Sequence, residues 1–146
     1  TMPIDMQSAI VAELIQRLQS GAGFGGEVFE DSVMRVLDSA DEALPDDFII
    51  IQPGQTEEVE RVGPGAVRER VTLNITAITR QRGFAPVLRG ARLGIKVALA
   101  GTKGGIVTQG VTQVAFLPET PMPPGEGRRW AAQVMPIQVT YQQPLK

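Results

Sequence analysis

The sequence predicts an α+β domain of two layers, a mostly antiparallel sheet with two helices packed on one face. Three observations predict it. Apolar residues recur at three- and four-residue spacing in two segments, one near the N-terminus and one within residues 80–101. Elsewhere they alternate with polar residues or form short runs bounded by Gly and Pro. The order is helix, short strand, central strand, long hairpin arm, helix, strand, strand, which suits helices gathered on one side of an antiparallel sheet. The 146 residues, 42% hydrophobic and 21% charged, fit a single domain over 1–146 with no internal repeat. Residues 21–26, 31–47 and 118–128 read as flexible or extended segments.

In the first helix, Met6, Ile10, Leu14 and Leu18 recur every four residues and Val11 and Ile15 widen the stripe. Asp5 suits the cap, Gly21 suits the stop, and Glu13 and Arg17 form an i,i+4 pair on the wet side. "GAGFGG" follows as a connector, then a short strand "EVFE". The acid-rich 31–47 stretch reads as a solvated loop with one helical turn at most. "FIII" (48–51) is a buried central strand ended by Gln52-Pro53-Gly54. "QTEEVERV", "GPG" and "AVRERVTLNITAITR" form a hairpin whose second arm buries Val71, Leu73, Ile75 and Ala77 and leaves Thr72, Asn74 and Thr76 on a polar face.

The second helix carries Phe84, Leu88, Ala91, Ile95 and Leu99 as its core stripe, with Arg89, Arg92 and Lys96 expected on the opposite side. Gly90 and Gly94 each cost about 1 kcal/mol relative to Ala, a cost best explained by close approach to a sheet or another backbone. Two strands end the chain, and in the last of them Pro136 implies an edge position or a bulge.

The chain has no Cys and no His. Disulfides, thiolate chemistry, Cys/His metal sites and a histidine base are therefore excluded, and no enzyme activity is expected. "GAGFGG" and "GTKGG" each follow a helix, the reverse of what a phosphate cradle requires, so no cofactor is expected. Glu57 and Glu58 diverge in a strand, which argues against a metal cluster. No apolar run approaches the roughly 18 residues of a membrane span, and no secretory signal pattern opens the chain.

Charge is divided along the chain. Residues 1–69 hold 14 acids and 4 bases, or −10, and residues 70–146 hold 10 bases and 2 acids, or +8. Such halves neutralise each other within one fold or present opposite faces to neighbouring copies. A nucleic-acid-binding accessory role for the basic 80–103 segment is the alternative from a different class. It lacks the interleaved aromatics of single-strand binders, and the pI is about 5.2.

The N-terminal amphipathic helix, "VFED", "LPDDFIIIQPG", "RERVTLNITAITRQRGFAPVLRGARLGIKVALAG" and the terminal "MPIQVTYQQ" together resemble the tail terminator (tail completion) proteins of long-tailed bacteriophages and gene-transfer particles. The most telling piece is the alternating strand that runs straight into "RG" and a helix. The longer 31–43 stretch and the Pro-rich loop depart from that pattern. The resemblance implies a ring, usually of six subunits, in the virion tail, assembled in the host cytoplasm. It would cap the head-proximal end of the tail tube, end tube polymerisation and offer a surface for the head–tail connector or stopper protein, with no cofactor and no catalytic residues. Another head–tail connector or a tail tube protein is the alternative within that class. Arg82, Arg89, Arg92 and Lys96 are expected to meet carboxylates of an adjacent subunit or tail partner, with Asp46, Asp47, Glu57, Glu58 and Glu60 as candidate acids.

Overall fold

Asp5 opens the first helix: its carboxylate accepts the N–H groups of Gln7 and Ser8 at 3.1 and 3.4 Å. Such a cap contributes about 1 kcal/mol. The helix, α1, spans Met6–Gly21 in a computed structural model that describes residues 2–38 and 43–146. The remaining elements are β1 (Val28–Glu30), α2 (Val33–Leu37), β2 (Asp47–Arg61), β3 (Ala66–Thr79), α3 (Phe84–Ala98), a 3-10 turn (Thr102–Gly105), β4 (Val111–Phe116), β5 (Thr120–Met122) and β6 (Ala131–Pro144).

The strands form one sheet in the order β1-β2-β3-β6-β4, with β5 also paired to β6. Only β1 runs parallel to its neighbour; all other pairs are antiparallel. α1 and α3 cover one face. Ile10, Leu14 and Leu18 of α1 and Leu88, Ala91 and Ile95 of α3 pack there with Ile49, Ile51, Leu73, Ile75, Met135, Ile137, Val139 and Tyr141. The α+β class and the two helices on one face are as the sequence predicts.

Four local readings need correction. "FIII" and the hairpin arm are one 15-residue strand, because a bulge between Pro53 and Thr56 carries β2 through Pro-Gly without ending it. Ile49 N–H and Ile51 C=O both face β1, so alternation aims the missing donor of Pro53 at the same edge, just past the end of β1. Pro136 lies in an interior strand rather than at an edge. Its carbonyl accepts Leu117 N–H at 3.0 Å, so its missing donor faces the gap where β4 ends and β5 has yet to begin. The 118–128 loop contains β5, whose Met122 packs against a second apolar cluster.

That second cluster is the fourth correction. Within 31–47, residues 33–37 are helical, and Ser32 caps them through its hydroxyl. Residues 39–42 of that stretch lie outside the described residues. Val33, Val36 and Leu37 of α2 sit on the sheet face opposite α1 and α3, with Phe48, Ile50, Ile78, Trp130 and Ala132. Trp130 meets Phe48 edge-on at 5.4 Å, and Phe48 stacks on Phe29 at 5.6 Å. Thr76, expected on a wet face, is fully buried. The face opposite the two long helices is polar only away from this cap.

Candidate assembly interface

The connection from β3 leads into α3, whose basic flank lies beside the link between β4 and β5. α3 has no side-chain cap, because its N-cap is Gly83, and no acid in its first turn. Its core stripe turns inward as expected, with Leu88, Ala91, Ile95 and Leu99 buried. Of the two helix glycines, Gly94 fits the close-approach reading: a Cβ there would lie 1.9 Å from the carbonyl oxygen of Ala22. Gly90 does not, since a Cβ there would meet nothing within 4 Å.

Arg92 and Lys96 converge on Glu119, in the link between β4 and β5. Arg92 Nε donates to Glu119 Oε1, and Lys96 Nζ lies 3.3 Å from Oε2. Lys96 also sits 4.6 Å from the centre of the Phe116 ring. Partial burial pushes the Glu119 carboxyl up, and the hydrogen bonds and positive charge of Arg92 and Lys96 more than reverse that, leaving it below its ordinary value. The sequence expectation sets these two bases against carboxylates of an adjacent subunit or tail partner and does not include Glu119. The available signal was its place as the first acid after Glu69.

Arg82 and Arg89 are exposed and form no ion pair among the described residues. Arg89 borders a mostly apolar groove of about 320 Å³ between α3 and β5, lined among others by Phe84, Leu88, Met122 and Ala132.

The five candidate acids are not brought to these bases within the chain. Asp46 pairs with Arg80 at 2.5 Å, and Asp47 accepts from the Thr79 hydroxyl and Gln81 Nε2, both at 2.6 Å. Arg80 also lies over Trp130, 5.1 Å from the ring centre, and so serves the second cluster. On the arm, Glu57 pairs with Arg70 at 2.8 Å, Glu58 with Arg61 at 2.6 Å, and Glu60 with Arg68. Glu57 stands opposite Arg70 and Glu58 opposite Glu69, so the adjacent glutamates point to opposite faces. Glu57–Arg70, Asp46–Arg80 and Asp38–Arg128 are pairs that join the acidic half to the basic half. The charge division is therefore partly neutralised inside the fold.

Among the described residues, two groups outside the basic helix carry large shifts. Burial pushes the Glu13 carboxyl up, but bonds from Thr108, Val107 N–H and Arg17 outweigh it and hold the group at about 2. Burial, then the neighbouring Glu69 carboxylate, pushes the Tyr141 hydroxyl up to about 12 against a hydrogen bond from Gln7. Neither titrates near neutral pH, where general acid–base work would place it. Among the described residues no group of three or more acids could hold a metal ion, and no helix is long and apolar enough to cross a membrane.

No family model and no curated protein matches the chain. A chain of the solved structure "Virion of native gene transfer agent (GTA) particle" is similar in fold, with a TM-score of 0.60 and 15% sequence identity over 92% of each chain.

Proposed function

We propose that this chain is a non-enzymatic structural protein of a phage-like particle, a tail-terminator subunit that closes into a ring at the head-proximal end of the tail tube. The observation that carries it is the likeness in fold, over 92% of both chains, to a component of a gene-transfer-agent virion. The order of sequence elements supports the same reading independently. A head-to-tail ring sets a different patch of each subunit against each neighbour, and closure depends on the rotation between them. Six copies, the tube protein and a head–tail connector are the partners this role requires.

Electron micrographs and native mass of the purified chain test the reading, together with its addition to growing tail tubes. Closed rings and arrested tube growth are expected. Long tubes of the chain itself would favour a tube subunit, and tubes that keep elongating in its presence would overturn the terminator role. The nucleic-acid reading loses ground here: Asp46 neutralises Arg80, and Glu119 engages both Arg92 and Lys96. Salt-dependent retention of DNA in a filter-binding titration would restore it.

A further inference from the structure

The face of α3 turned directly away from the core is apolar rather than basic. Pro86, Gly90, Leu93 and Val97 step by four, three and four residues, which aligns them on one side of the helix, and all four are exposed. Leu93 and Val97 expose 60% and 63% of their surface. Arg89, Arg92 and Lys96 lie between this stripe and the core stripe, on the flank toward β4 and β5. Two features of the stripe have no cause among the described residues. Gly90 weakens a helix interior although a Cβ there would touch nothing. Two large aliphatic side chains stand in solvent beside it. Close packing by a second backbone accounts for both.

We infer that this stripe is a self-assembly surface that receives the β1–α2 end of a second copy of the chain. Charge selects the occupant. Arg82 and Arg89 flank the stripe without ion-pair partners among the described residues. Two copies meeting stripe to stripe would set these arginines against each other, so a two-fold contact is disfavoured. The complementary patch on the same molecule is the β1–α2 end. Glu27 and Glu30 make no ion pair there among the described residues, and Met34 of α2 is 48% exposed. The two patches belong to opposite edges of the sheet: β1 is one terminal strand, and the flank of α3 is bonded to the link that follows β4, the other. A contact between unlike patches at opposite edges propagates head to tail, as a ring requires. This inference rests on the ring reading and names its surface.

The absence of cysteine allows a clean test. Leu93→Cys and Met34→Cys chains, mixed in equal amounts and oxidised at high protein concentration, should give the mixed disulfide far beyond the excess over each homodimer that random pairing yields. The Leu93→Glu/Val97→Glu chain should keep its melting temperature, because both side chains are exposed, while its assembly constant weakens by at least ~10-fold in sedimentation. Predominant Leu93→Cys homodimers would overturn the inference, as would unchanged assembly of the doubly charged chain. Rings that form without the mixed disulfide would overturn this surface and leave the ring intact. A chain that gives no disulfide yet arrests tube growth would do the same.

Discussion

Glu13 and Thr108, 95 positions apart in sequence, are joined twice: the Glu13 carboxylate accepts the Thr108 N–H at 2.8 Å and its hydroxyl at 2.5 Å. It also accepts Val107 N–H at 2.9 Å and Arg17 Nε at 2.7 Å. What reads from spacing as a solvent pair on a helix surface is the anchor that ties α1 to the turn before β4. A folded value of about 2 against 4.5 means the stabilisation is complete above the unfolded value and is lost as pH falls from there toward 2. Glu13→Gln should cost about 2 kcal/mol at neutral pH, the worth of charge-assisted hydrogen bonds lost at a partly buried site. Urea unfolding at a series of pH values should show the difference from wild type shrinking below pH 4.5. A gap that stays constant down to pH about 2 would disprove the anchor.

The two interior glycines of α3 should respond to the same substitution with opposite sign. Gly94→Ala drives a methyl into the Ala22 carbonyl and must separate α1 from α3, costing about 2 kcal/mol. Gly90→Ala meets open space and should stabilise the isolated chain by about 1 kcal/mol through helix propensity. Thermal midpoints of both variants check this, and a destabilising Gly90→Ala would refute it.

Releasing Arg92 and Lys96 should cost little. Their side chains are 44% and 34% exposed, so Glu119→Gln is expected to lose about 0.5–1 kcal/mol. The loss should diminish in high salt as the pair is screened. Denaturation at two ionic strengths decides it; an equal loss in both would point to packing instead.

Arg89 and Arg92 should differ in assembly although both lie on the basic flank. Arg92 is already engaged by Glu119, and Arg89 has no ion pair among the described residues. Arg89→Glu should weaken self-association more than Arg92→Glu, and more at low salt than at high salt. Sedimentation of the two variants measures this. Equal effects, or none at low salt, would remove Arg89 from the interface.

Trp130, the single tryptophan, is 4% exposed at the centre of the second cluster. Trp130→Ala should cost about 4 kcal/mol by opening a cavity between β6, Phe48 and α2. In the wild type its fluorescence should shift red in the same transition that removes the helical circular dichroism. Separate transitions would mean that the two faces of the sheet unfold independently.

The features legible in the sequence are those set by neighbours along the chain. Asp5 capping α1, the stripe from Leu88 to Leu99 and the alternation from Met135 to Tyr141 all follow from local periodicity. The second cluster escaped because Phe48, Ile78, Trp130 and α2 meet only after the sheet has formed, and no single segment shows an excess of apolar residues on that side. Glu119 escaped for a related reason: β4 and β5 must both register on β6 before its carboxylate reaches α3. The outward stripe of α3 was obscured by the arginines and lysine beside it. A rotation of roughly 100°, the step of one residue, assigns the same charges to the back or to the flank.

Pro136 marks the point at which β6 exchanges one partner strand for another, and that exchange makes the three residues from Leu117 to Glu119 a ruler. Both ends of the span are held by strand pairing, so its length alone decides where the carboxylate lands. Substitutions within it leave that distance untouched. A one-residue insertion between Phe116 and Thr120 would keep both strands and still unhook Glu119 from the helix. Variation in length, more than in chemistry, is what this joint is built to resist.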